Sequence, residues 1–209
     1  MRFSLRNPAQ RHKISHVAPR PAVFIDRDGT LTDEVGYVNH PSRLRLLPRS
    51  AAAVRRLNAA GVAVVVVTNQ AGIARGYFSP DVLAAVNDAL VSQLKDEGAH
   101  LDGVYVCPHH PTEGEPPYRM VCACRKPKPG LLLRASADLG LDLERSTLVG
   151  DKGSDLVAAR AVGARSVLVL TGYGLGEWEY RRGALPVQPD HVAHDLLSAA
   201  DWVIEGLSR

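Results

Sequence analysis

Several polar side chains follow directly on apolar segments of this 209-residue chain, where a protein core would not accept them. Asp26 and Asp28 come after the segment AVFI, Thr68 follows the run VAVVVV, and Asp151 follows LVG. Carboxylates from two such segments form an all-oxygen pocket of the kind that Mg²⁺ prefers. A hydroxyl group beside them, together with the ammonium group of Lys126, suits an anion with several oxygens, such as a phosphoryl group. These residue types therefore predict metal-assisted phosphoryl-transfer chemistry.

The two aspartates of the sequence DRDG, residues 26–29, could divide the work of such a reaction. One carboxylate can attack phosphorus while the other carries protons to and from the reacting oxygens. On its own, an Asp-x-Asp-Gly sequence is also typical of a tight turn with side-chain-to-backbone hydrogen bonds. The threonine and lysine segments and a third acidic segment, with Asp151 and Asp155, follow in order along the chain. This succession favours the catalytic interpretation.

Short apolar segments alternate with helical patterns from Ala22 onward. The run of β-branched residues after Val62 is typical of a strand that is covered on both faces of a parallel sheet. Ser79 and Pro80 have the residue types of a helix N-cap and first turn. We predict five strands, at 22–26, 62–67, 103–106, 147–150 and 166–170, and five helices, at 50–60, 80–97, 131–139, 154–162 and 195–206.

This alternation implies βαβ crossovers, and hence an α/β fold with a doubly wound parallel sheet. Ligands of such sheets bind beyond the carboxyl ends of the strands, where the polar residues described above fall. Residues 31–48 have the pattern of irregular chain, and Gly172, Gly174 and Gly176 predict a mobile loop. No insertion is large enough for a separate cap domain, so we expect an open active site.

Four segments, in this order, resemble motifs I to IV of the haloacid dehalogenase (HAD) superfamily of aspartate-nucleophile phosphatases. They are FIDRDGTL at 24–31, VVVVTNQ at 64–70, CRKPKPG at 124–130 and VGDKGSD at 149–155. The resemblance covers residues 22–195 and implies a HAD-like, Rossmannoid fold. TNQAGIARGYF, CPHHP and CACRKPKPG are similar to segments of the branch that contains heptose 1,7-bisphosphate phosphatases and histidinol-phosphate phosphatases.

The resemblance also implies roles for individual residues. Asp26 is expected to be the nucleophile that forms an aspartyl-phosphate, and Asp28 to protonate the leaving oxygen and then to activate water. Mg²⁺ is expected to bind the side chains of Asp26 and Asp151 and the backbone carbonyl of Asp28. Thr68 and Lys126 are expected to bind the oxygens of the transferring phosphoryl group. Superfamily ATPases carry threonine where Asp28 stands, so the resemblance favours a phosphatase over a pump.

Positions at which members of the superfamily contact their substrates form a further set. It consists of two basic residues and two short segments that follow the first and second predicted strands. By this resemblance the substrate-binding residues are Arg125, Lys152, Glu34, Val35, Gly36, Tyr37, Asn69, Gln70 and Ala71.

All three cysteines of the chain lie within 18 residues, with a histidine among them. Cys107 and His109 are followed, after twelve residues, by Cys122 and Cys124. Three thiolates and one imidazole complete a tetrahedral zinc shell and leave no open position, so the predicted zinc is structural. An odd number of cysteines argues against a disulfide framework. His109 matches the C-x-H sequence of the family, while His110 is the weaker candidate ligand.

The alternative interpretation of this cluster is three unrelated reduced cysteines, and the close spacing argues against it. A metal would pin the proline-rich loop at 107–124, which has too few apolar residues to fold alone. Since Cys124 adjoins Arg125 and Lys126, the zinc would also position two side chains that are expected to bind phosphate.

Composition places the chain among globular proteins and limits its partners. Hydrophobic residues make up 45% of the chain, and no apolar run reaches the roughly 18 residues of a membrane span. The net charge of +3 comes from an N-terminal arm, residues 1–20, with five basic residues and no acidic one. The body, residues 21–209, has 20 basic and 22 acidic residues, which argues against nucleic-acid binding. We therefore expect a cytoplasmic, monomeric enzyme with one domain and no membrane partner.

The resemblance to this branch implies a Mg²⁺-dependent, zinc-stabilised phosphatase that removes the 7-phosphate of a heptose 1,7-bisphosphate. Histidinol phosphate is the alternative substrate, since the same residues would hydrolyse it. Histidinol phosphatases of this branch generally have a shorter segment between the zinc ligands than the twelve residues found here. A catalytically silent binding protein with the same fold is the alternative of another class. The intact set of catalytic residues argues against it.

Overall fold

The computed structural model describes residues 19–207, so most of the predicted basic arm lies outside the described residues. The strands are β1 (Arg20–Ile25), β2 (Ala63–Asn69), β3 (Gly103–Cys107), β4 (Leu141–Gly150), β5 (Arg165–Val169) and β6 (His191–Ala193). The helices are α1 (Ser50–Ala59), α2 (Pro80–Asp96), α3 (Gly130–Leu139), α4 (Gly153–Arg160), α5 (Gly174–Arg181) and α6 (Leu196–Leu207), with short 3-10 helices at Pro41–Arg43 and Arg182–Ala184. None of the described helices is both long and apolar enough to cross a membrane.

The six strands form one sheet in the order β3-β2-β1-β4-β5-β6, and every neighbouring pair is parallel. The prediction of a doubly wound parallel sheet is therefore confirmed. The order reverses between β1 and β4, and Ile25 pairs with Val66 on one side and with Val149 on the other. Because a crevice forms at such a reversal, the residues that follow β1, β2 and β4 open into the same space.

Side chains of the central strands alternate between two apolar layers. Val23 and Ile25 of β1 pack in a core with residues of α1, α2 and α6. Ala22 and Phe24 point to the opposite face, where they pack with residues of α3 and α4. This alternation covers both faces of the sheet, as the uninterrupted valine run of β2 predicts. Within the described residues, no cap domain interrupts the order of strands and helices.

The prediction of a mobile loop at Gly172, Gly174 and Gly176 is wrong in part, because α5 begins at Gly174. Trp178 of this helix packs against a small apolar cluster of Leu156, Leu168 and Leu185. No periodic pattern indicates this helix, since the apolar partners of α5 come from distant elements.

Two strands also differ from the predicted set. β6 is only three residues long and pairs with β5 at its edge, so it is too short for a periodic pattern to indicate it. β4 begins at Leu141, six residues before the predicted start at Thr147. Its first residues pair with the beginning of β1, with Arg20 opposite Leu141. The exposed and polar residues between the two paired segments conceal this extension in the sequence.

Candidate active site

The predicted catalytic residues converge at the edge of the sheet where the strands end. Asp26 directly follows β1, Thr68 lies near the end of β2, and Asp151 directly follows β4. Lys126 reaches the same place from the loop before α3. All four residues are buried, and a cavity of about 430 Å³ opens at this edge. Most of the predicted residues line it, namely Asp26, Asp28, Glu34, Gly36, Tyr37, Thr68, Asn69, Gln70, Ala71, Arg125, Lys126 and Lys152.

A buried ammonium group lies at the bottom of the site, between two carboxylates. Lys126 is 4% exposed, and its Nζ lies 2.9 Å from Asp26 Oδ1 and 2.7 Å from Asp155 Oδ1. The same Nζ donates to the carbonyl oxygen of Val67 at 2.8 Å. Burial alone would lower the pKa of Lys126, but Asp155 and Asp26 outweigh this effect and raise it. The lysine is therefore a fixed positive charge beside Asp26.

Asp155 is the residue whose role the sequence did not indicate. Its Oδ2 accepts the backbone N–H of Lys152 at 3.2 Å and so caps the beginning of α4. Its Oδ1 is paired with Lys126. Burial raises the pKa of Asp155, while the ammonium group of Lys126 opposes this shift. The carboxylate thus joins the helix that follows β4 to the lysine that faces Asp26.

Asp151 is completely buried; one of its oxygens accepts a hydrogen bond, and the other lies 3.4 Å from Lys152 Nζ. Oδ2 accepts the backbone N–H of Tyr173 at 2.9 Å. A Cβ at Gly29 or at Gly172 would overlap this oxygen, and both glycines have positive φ, so the chain can approach here only as glycine. Oδ1 accepts no hydrogen bond within residues 19–207. Burial and the nearby carboxylate of Asp26 raise the pKa of Asp151 to about 7.

Carboxylate oxygens of Asp26, Asp151 and Asp155 lie within 4.8 Å of one another. Three buried acidic groups this close repel one another unless cations compensate them, and Lys126 supplies only part of the compensation. Oδ1 of Asp151 accepts no hydrogen bond among residues 19–207 and lies 3.4 Å from Lys152 Nζ, and it is a hard donor of the kind that Mg²⁺ binds. The donor set therefore fits a divalent cation at this position.

The Asp28 carboxylate is held by neighbouring donors. Arg27 donates from Nε to Oδ1 and from Nη2 to Oδ2, both at 3.0 Å. Gln70 donates from Nε2 to Oδ2 at 2.6 Å and to the hydroxyl oxygen of Thr68 at 2.9 Å. Gln70, predicted as a substrate contact, therefore also links two residues that are predicted to be catalytic. Neither the fork of Arg27 nor this link has a signal in the sequence.

Three of the other predicted substrate contacts, Asn69, Glu34 and Val35, differ in their surroundings. Asn69 exchanges two 3.0 Å hydrogen bonds with the backbone of Lys126, so it fixes the loop that carries the lysine. Glu34 pairs with Lys152 across the cavity, Oε2 to Nζ, at 3.2 Å. Val35 is the exception: it does not line the cavity, because its side chain is exposed on the outside of a turn that the Gly36 N–H closes on Glu34.

Two residues of the cavity wall, Ser154 and Tyr173, were not predicted. The ring of Tyr173 stacks under the ammonium group of Lys152, with 4.4 Å between Nζ and the ring centroid. Burial would lower the pKa of Lys152, but the carboxylates of Asp151, Asp26 and Glu34 raise it. Tyr173 has no signal in the sequence, because it lies in the glycine-rich segment that predicts a mobile loop.

The three cysteines and His109 form one cluster at the end of β3. Cys124 Sγ lies 3.2 Å from Cys107 Sγ and 3.3 Å from Cys122 Sγ, and His109 Nδ1 lies 3.3 Å from Cys124 Sγ. All four potential ligand atoms are within 4.8 Å of one another. His110 is not in this cluster; its ring contacts Arg75 instead. The predicted choice of His109 over His110 agrees with this geometry.

The cluster is coupled to the cavity through Arg125, the residue that follows Cys124. Arg125 lines the cavity, and its Nη1 donates to the carbonyl oxygen of His109 at 3.3 Å. A metal that fixes Cys124 and His109 would therefore also fix both anchors of this guanidinium group.

The sheet order, with acidic residues after its two central strands, is that of the HAD-like fold. A family model described as HAD-hydrolase-like matches residues 123–199. The D-glycero-D-manno-heptose-1,7-bisphosphate 7-phosphatase of Thermosynechococcus vestitus is 43% identical over 196 residues, which cover 91% of this chain and 98% of that protein. The D-glycero-beta-D-manno-heptose-1,7-bisphosphate 7-phosphatase of Escherichia coli K12 is 40% identical over 190 residues, or 90% of each chain.

Solved structures agree with these relatives. The crystal structure of D,D-heptose 1,7-bisphosphate phosphatase from B. bronchiseptica, complexed with magnesium and phosphate, is 34% identical, with a TM-score of 0.78. The match covers 89% of this chain and 99% of that one. The chain belongs to the same family of HAD-like hydrolases as these heptose bisphosphate phosphatases. The family resemblance inferred from the four motifs is confirmed.

Proposed function

We propose that this protein is a Mg²⁺-dependent phosphatase that hydrolyses the 7-phosphate of D-glycero-D-manno-heptose 1,7-bisphosphate. One observation carries the proposal: Asp26 lies 2.9 Å from a buried lysine at the end of the central strand, in a chain 43% identical to a phosphatase named for this substrate. The cavity beside Asp26 has cationic groups on its wall, Arg125 and Lys152, which suits an anionic sugar phosphate. The proposed location in the cytoplasm and the proposed monomeric, one-domain form rest on the sequence alone.

Asp26 is the proposed nucleophile. One of its carboxylate oxygens attacks phosphorus, the bond from phosphorus to the sugar oxygen breaks, and an aspartyl-phosphate forms. Asp28 gives a proton to the leaving sugar oxygen. It then takes a proton from a water molecule, which attacks the phosphorus of the aspartyl-phosphate and releases phosphate with Asp26 restored.

Thr68 and Lys126 hold the phosphoryl oxygens in this proposal. The hydroxyl oxygen of Thr68 accepts a hydrogen bond from Gln70, so its own O–H is free to donate to a phosphoryl oxygen. Lys126 is a fixed positive charge that faces the nucleophile, where negative charge develops on the phosphoryl group. Both groups are held before substrate arrives, so little reorganisation accompanies the reaction.

The side chains of Asp26 and Asp151 and the backbone carbonyl of Asp28 are the proposed ligands of Mg²⁺. The bound cation would neutralise phosphoryl charge and orient the ester for in-line attack. Asp151 suits this role because its Oδ1 is buried without a hydrogen bond among residues 19–207. Asp155 is nearby, but its Oδ1 is paired with Lys126 and its Oδ2 caps α4, so it is not a proposed ligand.

Zn²⁺ is the proposed occupant of the Cys107, His109, Cys122 and Cys124 cluster. Three sulfurs and one nitrogen at mutual distances of a few ångströms suit tetrahedral zinc with no exchangeable position. The role is structural, because the cluster lies beside the cavity and holds Arg125 rather than contacting the phosphoryl group.

The test is phosphate release from heptose 1,7-bisphosphate and from histidinol phosphate, with Mg²⁺ and with EDTA. We expect the heptose bisphosphate to be the better substrate, and we expect activity to require Mg²⁺. Asp26→Asn should abolish turnover with the fold intact, because an amide is neither an adequate nucleophile nor an anionic ligand. Asp33→Asn, the same change at an exposed neighbour outside the cavity wall, is the control.

Preference for histidinol phosphate would contradict the substrate assignment. Full activity after confirmed removal of the metal would contradict the metal assignment. A folded wild-type protein without activity on any phosphate ester would favour a silent binding protein.

Arg125 is the proposed contact for the distal part of the substrate. Its guanidinium group can bind phosphate or hydroxyl oxygens in a bidentate way. We expect Arg125→Ala to lower kcat/KM for the heptose bisphosphate by about 10- to 150-fold, since a charge-assisted hydrogen bond contributes roughly 1.5–3 kcal/mol. Phenyl phosphate, which has no distal group, should be affected far less.

The control for this prediction is Lys128→Ala, which removes an exposed positive charge from the same loop. An equal loss of kcat/KM on both substrates in the Arg125 variant would place this residue in the general catalytic apparatus instead.

A further inference from the structure

Arg27 lies between the two aspartates of the DRDG sequence, and the mechanism above gives it no task. It is the largest of the fully buried side chains, with no exposed surface. A buried guanidinium group is costly unless carboxylates and hydrogen-bond acceptors surround it. A fully buried arginine next to the nucleophile therefore needs a physical reason.

The contacts of Arg27 supply this reason. Its Nε and Nη2 form the two-pronged contact with Asp28 described above, and this is its only ion pair with a carboxylate among residues 19–207. A planar, bidentate pair of this kind fixes both the position of a carboxylate and the orientation of its plane. Asp28 is 17% exposed in its side chain, so it faces the cavity while its partner does not.

Arg27 is itself held from two sides. Its Nη1 donates to Oδ1 of Asn87, a residue of α2 that lies 60 positions further along the chain, at 3.0 Å. Its backbone N–H donates to Oδ1 of Asp26 at 2.8 Å, and its carbonyl oxygen accepts from the N–H of Leu31 and Thr32 at 3.0 and 2.9 Å. The guanidinium group is thus fixed between the nucleophile segment and a helix that is remote from the reaction.

We propose that Arg27, anchored by Asn87, is the positioning residue that sets the place and plane of the Asp28 carboxyl group. This inference rests on the proposed function, in which Asp28 transfers protons. Arg27 does not contact the substrate; it acts through Asp28. A general acid must lie within hydrogen-bond distance of the leaving oxygen, about 2.6–3.2 Å, so the loss of the fork displaces Asp28 from the position that the reaction needs.

The dependence of the rate on the leaving group distinguishes positioning from a structural role. A general acid matters most for a poor leaving group, such as an alkoxide, and least for 4-nitrophenolate. The test measures kcat/KM for a series of substituted phenyl phosphates, since kcat/KM reports the steps up to formation of the aspartyl-phosphate. A misplaced acid makes the plot of log(kcat/KM) against the pKa of the leaving group steeper. A partly unfolded enzyme loses activity equally on every ester.

Three variants carry the test, together with Asp28→Asn as the reference for complete loss of the acid. Arg27→Lys keeps the charge but loses the fork, and we expect a loss of about 10- to 100-fold on the poorest leaving group and under about 3-fold on 4-nitrophenyl phosphate. Asn87→Ala removes only the anchor and should give a smaller change in the same direction. Asp88→Ala, an exposed position of the same helix, should keep the wild-type slope.

The outcomes separate this inference from the proposed function. A steeper plot for Asp28→Asn, for Arg27→Lys and for Asn87→Ala supports the inference. A steeper plot for Asp28→Asn with wild-type slopes for folded Arg27→Lys and Asn87→Ala overturns the role of Arg27 and leaves the proposed function intact. If Arg27→Lys does not fold, the slope of Asn87→Ala decides. An unchanged slope for Asp28→Asn would overturn the acid role of Asp28, and the role of Arg27 with it.

Discussion

At the carboxyl edge of the sheet, three buried carboxylates lie close together and need positive charge beside them. Asp26, Asp151 and Asp155 are buried within 4.8 Å of one another, and Lys126 contacts two of them. The remaining negative charge attracts a cation to the same place, which is consistent with the proposed Mg²⁺ site. In the proposed enzyme, Lys126, Lys152 and Mg²⁺ would therefore share the compensation of one acidic cluster.

Replacement of Asp155 by Asn tests this balance. The change keeps the shape of the side chain but removes one counter-charge of a lysine that is 4% exposed. We expect the free energy of unfolding to fall by roughly 1.5–3 kcal/mol, because Lys126 keeps Asp26 as a partner but loses its charge-assisted hydrogen bond to the Asp155 carboxylate. Urea unfolding at neutral pH is the measurement, with the exposed Asp33→Asn as its matched control. Equal stability of both variants would contradict the role given to Asp155.

At the scale of residues, the sequence shows which polar residues follow a strand, but it does not show which side chains contact one another. Asp26, Thr68 and Asp151 could be predicted because each directly follows an apolar run. The contact of Arg27 with Asn87 joins residues 60 positions apart, so no local pattern indicates it. The same holds for the contact between Lys126 and Asp155, which becomes visible only when α4 is placed beside the lysine loop.

Elements with a strong internal pattern could be predicted, and those stabilised by distant partners could not. α2 begins after the predicted N-cap Ser79, whose Oγ accepts a hydrogen bond from the Val82 N–H. α5 has no such signal and is held by apolar contacts between Trp178 and residues of other elements. The loop at 107–124 could be predicted in part. The spacing of its potential zinc ligands is visible in the sequence, but the hydrogen bond from Arg125 to the His109 carbonyl is not.

Cys107→Ser tests the proposed zinc at the scale of this loop. Cys107 is buried at the end of β3, so the variant should lose zinc and, with it, roughly 4 kcal/mol or more of stability. Elemental analysis should find one zinc per wild-type chain. Hydrogen exchange should show that chelation exposes residues 107–124 before the sheet.

Ala123→Ser is the matched control, because it adds a hydroxyl group to the same loop at an exposed position. The assignment would be contradicted if wild-type protein, produced in medium with sufficient zinc, contained no zinc and if all three of its thiols reacted freely in a titration.

At the scale of the whole molecule, α6 closes the fold by packing on α1 from the far end of the described chain. Asp195 precedes α6, and its Oδ1 accepts the backbone N–H of Ser198 at 2.9 Å. Its Oδ2 accepts from Nε of Arg49, just before α1, at 2.9 Å. Burial alone would raise the pKa of Asp195, but the bonds from Ser198 and the charge of Arg49 hold it below its usual value.

Asp195→Ala should therefore lower the free energy of unfolding by about 1–2 kcal/mol at neutral pH, the usual effect of losing a helix cap. Since the pKa is lowered in the folded protein, this stabilisation is complete above about pH 4, the pKa of a free aspartate, and disappears as the pH falls through the folded value. Urea unfolding at pH 7 and at pH 3 measures both effects.

Asp201→Ala is the control, since it breaks a solvent-exposed pair with Arg56 and should cost under about 1 kcal/mol. A difference between wild type and Asp195→Ala that is as large at pH 3 as at pH 7 would contradict the assignment to the ionised carboxylate.

The central position of β1, between β2 and β4, has a consequence for the synthesis of this protein on the ribosome. A nascent chain that has emerged only as far as β3 leaves one side of β1 unpaired, because its other neighbour has not yet been translated. An open edge of this kind can pair with another nascent chain. Asp26 is made early, but Asp151 and Asp155 come more than a hundred residues later. No growing chain can therefore bring the acidic cluster together until α4, which carries Asp155, has left the ribosome, and the second edge of β1 stays open until β4 pairs with it.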